Sequence, residues 1–209
     1  RRCFERHATS KISDARDLFA IRTMGFRGEA LASIAAIAEV TLKTRSSSEQ
    51  VGTQLRISGS RVLSQEPDSC PAGTNMVVRN LFFNVPARRK FLKSEQTELR
   101  HVIHEFNHVA MAYPDIEFQL IHNSTQVFQL PPANLKQRIA GILGKNIQQN
   151  LIPLDTDTSI VSIHGFIGKA ENAKKTYGEQ YMFVNNRFMR HPYFHKAIMQ
   201  AYEHILPPD

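Results

Sequence analysis

Cysteine is scarce in this sequence: two residues, Cys3 and Cys70, stand far apart and outside any CxxC or metal-ligand spacing. That spacing argues against a disulfide-stapled scaffold and against a cysteine-based zinc site. No apolar run approaches the ~18 residues a membrane helix needs, and no signal-peptide pattern opens the chain. Internal repeats and low-complexity tracts are also missing. A reduced, cytoplasmic protein with no membrane partner is the simplest expectation. Acidic side chains are in deficit, 19 Asp and Glu against 26 Lys and Arg, which leaves a formal net charge of +7. Such a balance favours contact with nucleic acid or another polyanion and says nothing about fold. What is present is ordinary for a globular protein: 42% hydrophobic and 22% charged residues over 209 positions, enough for one large domain or two small ones.

The hydrophobic pattern predicts an α+β architecture. A short helix is expected over residues 14–19 with Ser13 as its N-cap, and a buried, alanine-rich helix over residues 29–38. Alternation predicts strands at 40–44, 54–58 and 75–81. Pro86 opens a basic helical turn. Leu99, Val102, Ile103, Phe106, Val109, Ala110 and Tyr113 then form one apolar stripe of a long helix. Residues 117–130 read as a hairpin around Asn123-Ser124, and Pro131-Pro132 as the domain boundary, giving domains of 1–131 and 132–209. Beyond it Asn134 caps a helix at 135–143; strands at 160–167 and 181–185 and a helix at 193–206 follow, with a charged loop at 169–179.

Three segments carry chemistry. In Gly25-Phe26-Arg27-Gly28-Glu29-Ala30-Leu31 two glycines bracket a short loop that runs straight into a helix. Glycine permits positive φ and close approach of a ligand, the helix start offers unpaired N–H groups, and Arg27 adds a charged donor. A bare GxxG is more often a tight connection than a phosphate site. Upstream, the run of residues 6–12, which contains Thr9, Ser10 and Lys11, is either an anion-gripping loop or a solvated turn. Downstream stand Gly73-Thr74 before a strand, then Asn80-Leu81-Phe82-Phe83-Asn84-Val85-Pro86-Ala87-Arg88-Arg89-Lys90-Phe91-Leu92.

Taken together, RHATSKI, GFRGEALASIA, this GT, NLFFNVPARRKFL and the later FVNNRFMR strongly resemble the MutL family of DNA mismatch-repair proteins, in order and over nearly the whole chain. The resemblance implies the C-terminal part of a gyrase/Hsp90/histidine-kinase/MutL-type ATPase sandwich, followed by part of a ribosomal protein S5-like α/β domain. It implies ATP and Mg²⁺ as cofactors. Thr9, Ser10 and Lys11 match the lid over the nucleotide. Gly25, Phe26, Arg27, Gly28, Glu29, Ala30 and Leu31 match the phosphate-binding motif, and Gly73 and Thr74 the motif beside adenine. Gly52-Thr53 lacks the following context and is expected simply to begin a strand. Implied partners are DNA, bound without sequence preference and with Arg187 and Arg190 as the favoured contacts; a MutS-type mismatch-recognition protein; and a second subunit in a homodimer or MutL-type heterodimer. The setting is the bacterial cytoplasm, or the nucleus if the source is eukaryotic.

Departures from the family pattern qualify the activity. The family carries, earlier in the chain, a helix with a catalytic Glu and a Mg²⁺-binding Asn, and an adenine-reading DxGxG turn; these 209 residues hold neither. The sequence opens without Met inside a charged segment and closes at Leu206-Pro207-Pro208-Asp209, so both ends are expected to be cuts. The intact protein is expected to hydrolyse ATP and these residues alone are not, with no catalytic residue among them. The competing readings are the ATPase subunit of a type II topoisomerase, which would need a GxxGxG-like lid and a QTK-like loop, and a non-enzymatic S5-like nucleic-acid-binding module. Two ExxH pairs, Glu98 with His101 and Glu105 with His108, are expected on a solvated helix face, so no metal site is expected. Arg88, Arg89, Lys90 and Lys93 are either phosphate contacts or a solvated face paired with Glu95 or Glu98.

Overall fold

The computed structural model describes residues 1–14, 16, 17, 21, 23–173 and 179–205. The fold is mixed α+β and divides into two compact units, Arg1–Glu98 and Leu99–Asp209. The first unit is built on a four-stranded antiparallel sheet, β1 (Glu39–Arg45), β2 (Gly52–Ser58), β3 (Arg61–Asp68) and β4 (Gly73–Arg79), in the order β3-β2-β1-β4. Helix α1 (Ala30–Ile37) packs on it through Ala35, which joins Val40, Leu55 and Ile57 in the core. The register explains why these residues meet. Val40 stands opposite Ile57 and Leu42 opposite Leu55, so period-two alternation puts all four on one face. Helix α1, expected to be buried, has Ala32 and Ala35 buried but Ala30 and Ser33 exposed.

The second unit gathers the C-terminal half of α3 (Glu95–Ala112), the hairpin β5 (Phe118–His122) and β6 (Thr125–Leu130), and α4 (Leu135–Leu143). Ala110, Met111, Leu130 and Ile142 form its buried centre, with Phe106 stacked on Phe128 at 5.4 Å. Asn123 and Ser124 take positive φ of 46° and 64°, the left-handed pair that a two-residue hairpin turn demands. Asn134 caps α4 as expected: its side chain accepts from the Gln137 N–H, and the Gln137 side chain accepts from the Asn134 N–H, a closed capping box. The break between compact units falls between Glu98 and Leu99, upstream of Pro131-Pro132, because the hairpin before those prolines and the helix after them share one apolar core.

The rest of the second unit is a hairpin of β7 (Leu151–Asp157) and β8 (Ser162–Gly168), a short hairpin of β9 (Phe183–Val184) and β10 (Arg187–Phe188), and α5 (Pro192–Tyr202). Asn185 and Asn186, at φ 49° and 62°, turn the short hairpin so that Val184 faces Arg187 and Phe183 faces Phe188. The helix expected over 14–19 and the loop expected over 169–179 lie partly outside the described residues, as does the end of the helix expected over 193–206. Where residue 17 is described, Asp17 is the acceptor and Ser13 the donor, through both its N–H and its hydroxyl; these bonds and the Asp14 N–H hold the Asp17 carboxyl below its ordinary value. No helix among the described residues is long and apolar enough to cross a membrane.

Candidate nucleotide site

Gly28 is where two of the sequence motifs meet. Its φ is +66°, and a Cβ built on it would collide with the Ala8 carbonyl. Only glycine therefore lets the backbone of residue 8 close on the loop. Around that contact Glu29 reaches two side chains: its carboxylate lies 3.1 Å from His7 Nδ1 and 3.1 Å from Arg27 Nε. Residues 7 and 8 are thus tied to the loop by a backbone contact and by the Glu29 carboxylate. His7, Thr9, Ile12, Phe26 and Arg27 line an open cleft of about 400 Å³ at this junction. Helix α1 starts immediately behind, its N-cap Glu29 making no side-chain capping bond. The first-turn N–H groups are left for a ligand or water.

Not every expected residue joins this cleft. Ser10 and Lys11 are exposed, and the Lys11 N–H donates to the Thr9 hydroxyl at 3.1 Å, a local turn. Gly25 is exposed with open space where a Cβ would point. Gly73 and Thr74 begin β4, where the Thr44 hydroxyl donates to the Gly73 carbonyl and sits 3.0 Å from the Thr74 hydroxyl. Gly52-Thr53 begins β2 as expected, and Thr53 and Thr74 flank the same Thr44 from opposite sides. Arg187 is half-buried on β10 and Arg190 exposed just beyond it. The α2 turn (Pro86–Lys90) exposes Arg88, Arg89 and Lys90, and Glu98 accepts the Lys93 main-chain N–H at 2.7 Å.

The second unit corrects one expectation outright. His108, assigned to a solvated face of α3, is only 6% exposed, while Val102 of the predicted apolar stripe is 51% exposed. The reason is the short hairpin: the Phe188 ring stacks on the His108 imidazole at 3.5 Å between centroids, and Tyr181 meets it edge-on at 5.9 Å. Burial, followed by the neighbouring His104, pushes the His108 pKa down against the pull of Glu105. Glu105 places its carboxylate 3.6 Å from His108 Nδ1 and 3.7 Å from His104 Nδ1. The sequence does carry a signal here: residues 104–108 read His-Glu-Phe-Asn-His, an HExxH spacing. Arg138 is the other residue missed. It is 1% exposed, and its guanidinium donates to the carbonyls of Pro114, Ile116 and Pro131 at 2.6–3.0 Å, 5.4 Å above the Phe118 ring.

A fold of this kind is found in MutL ATPase domains. The Aquifex aeolicus MutL ATPase domain complexed with ADP matches with a TM-score of 0.69 and 26% identity, over 90% of this chain and 71% of that one. The N-terminal domain of a DNA repair protein matches with a TM-score of 0.73 and 20% identity, over 88% and 61% of the two chains. Among relatives, the DNA mismatch repair protein MutL of Phocaeicola vulgatus is 59% identical over 98% of this chain, and that of Bacteroides fragilis 55% identical over the same share. The family model for the DNA mismatch repair protein, C-terminal domain, matches residues 139–209. The chain belongs to the MutL family of DNA mismatch-repair proteins. It spans about a third of the length of the relatives it matches, 33% of the Phocaeicola protein.

Proposed function

We propose that this chain is the lid-and-phosphate-loop portion of a MutL-type ATPase that couples mismatch recognition to strand processing in DNA mismatch repair. The observation that carries the reading is the closure of residue 8 on Gly28 in front of an uncapped helix start, with Arg27 at the cleft. In this reading Thr9, Ser10 and Lys11 act as lid over ATP, and the N–H groups of residues 25–31 and Arg27 hold its phosphates. Gly73 and Thr74 support the adenine end, Thr74 through a hydroxyl oriented by Thr44. The loop's own carboxylate, Glu29, is engaged by His7 and Arg27, so the reading takes the magnesium ligand from elsewhere in the protein. In the same reading the general base of hydrolysis also comes from elsewhere in the protein. The relatives favour neither the topoisomerase subunit nor the non-enzymatic S5-like module. The reading keeps a functional boundary at Pro131-Pro132, close to where the family match begins, and includes a MutS-type partner, a second MutL-type subunit and a cytoplasmic setting.

Two outcomes are expected. Steady-state phosphate release by the 209-residue chain should equal a buffer blank. A chimera with the segment that precedes the matched region in the Phocaeicola vulgatus relative joined ahead of Arg1 should release phosphate slowly. Turnover by the 209 residues alone, abolished by Gly28→Pro, would sink the assignment of catalysis elsewhere. A silent chimera that binds no ATP would sink the nucleotide site.

DNA binding is proposed to run through phosphate contacts by Arg187 and Arg190, next to the turn at Asn185-Asn186. Log affinity for duplex should then fall with log salt by about 0.9 per phosphate contact. Replacing both arginines by alanine should flatten that slope by about two contacts' worth. An unchanged slope would refute these residues, and strong sequence discrimination would refute the mechanism.

A further inference from the structure

The HExxH segment of α3 belongs to neither the nucleotide cleft nor the proposed DNA contacts. His104, Glu105 and His108 each offer a ligand atom, and these atoms lie within 4.8 Å of one another. Residues four apart on a helix share a face, so the two imidazoles stand one turn apart, 4.2 Å between ring centroids. Glu105 reaches toward both from between them. Its oxygens stand 3.6 and 3.7 Å from the two Nδ1 atoms, too far for good hydrogen bonds. Those separations are instead close to the edge of a zinc tetrahedron, about 3.3 Å for bonds of ~2.0–2.1 Å.

We propose that His104, Glu105 and His108 form a binding site for a divalent transition metal of the zinc class, with water completing the coordination. Two imidazoles and one carboxylate select zinc, cobalt, nickel or copper over magnesium and calcium, which prefer oxygen-only sets. The site is half preorganised. His108 is fixed by its stack on Phe188, whereas His104 and Glu105, with side chains 55% and 76% exposed, are free to close on an ion from solvent. Glu105 holds the position that a metalloprotease HExxH helix gives to its general base, but here its oxygens lie 3.7 and 3.6 Å from the Nδ1 atoms of His104 and His108, within reach of the same ion, so it is assigned as the third ligand. A metal there would clip the last turns of α3 beside the β9–β10 hairpin, since His108 already leans on Phe188.

Cobalt titration of the 209-residue chain reads this directly, because Co²⁺ in a nitrogen–oxygen site of low coordination number absorbs visibly and zinc displaces it. One equivalent should bind, with zinc quenching the band. His104→Ala removes an exposed ligand without disturbing the core and should weaken cobalt binding by at least about tenfold. Glu105→Gln should also weaken it, with the far-ultraviolet dichroism of both variants unchanged. His101→Ala, an exposed histidine on the same helix, should leave the titration as it was. No visible band at saturating cobalt, an unchanged affinity in His104→Ala, or an equal loss in His101→Ala would each overturn the site.

Discussion

Arg138→Ala should destabilise the second compact unit by more than about 3 kcal/mol, read as a lowered urea midpoint at unchanged slope. The side chain is buried, and its guanidinium supplies hydrogen bonds to three carbonyls that belong to two separate chain reversals, at Pro114 and Ile116 and at Pro131. Removing it strands those oxygens in the interior, at roughly 1–3 kcal/mol for each that water does not reach. An alanine also leaves the volume of the stem empty beside Phe118. Part of this loss is offset, because burial already works against the charge and draws the Arg138 pKa down despite Asp115 nearby. Arg138→Met separates the contributions: it restores much of the volume and none of the donors. If Met recovers the wild-type midpoint, the carbonyl bonds contribute nothing net and the packed stem is what matters. If Met stays low, the donors are responsible.

Gly28→Ala should detach the lid. A left-handed φ of +66° costs a residue with a Cβ about 1–2 kcal/mol, and here that Cβ would also collide with the backbone of residue 8. The loop is anchored by α1, so the lid is the part that yields. Trypsin should then cut faster after Arg6 and Lys11, and in a nucleotide-competent protein, ATP affinity should drop by at least tenfold, about 1.4 kcal/mol. Gly25→Ala is the control, because nothing lies within 4 Å of the position its Cβ would take. Equal tryptic rates for the two variants would refute the contact between lid and loop. Faster cleavage with unchanged ATP affinity would keep the contact and remove its role in nucleotide binding.

How much of this was legible beforehand depended on the range of the interaction. Helix α4 was readable to the residue because its start is a local device, Asn134 with Gln137, and prolines stand before it. Strands β1, β2 and β4 announced themselves by alternation. β3 did not: Arg61–Asp68 is an edge strand, largely exposed, so no apolar period marks it. β7 was hidden in the same way, with six of its seven residues exposed. The long-range facts were silent. Arg138 reads as an ordinary surface cation until loops from 24 and 22 residues upstream bring their carbonyls to it. His108 reads as solvated until Phe188, eighty positions on, covers it. The lid and loop were linked in the sequence only through a family's wording; the contact that explains the wording joins residues 8 and 28.

The two asparagines that turn β9 into β10 set a parity. With a loop of two residues, Phe188 lands opposite Phe183 and against His108, while Arg187 pairs with Val184 on the alternate side of the ribbon. One residue more in that turn would advance the strand by a single step and exchange the two sides: an arginine would be driven at the imidazole, and a phenylalanine left facing water. Length variation between Val184 and Arg187 is therefore admissible only in steps that preserve the alternation, so a deep collection of relatives should show this turn varying in residue type and hardly ever in length.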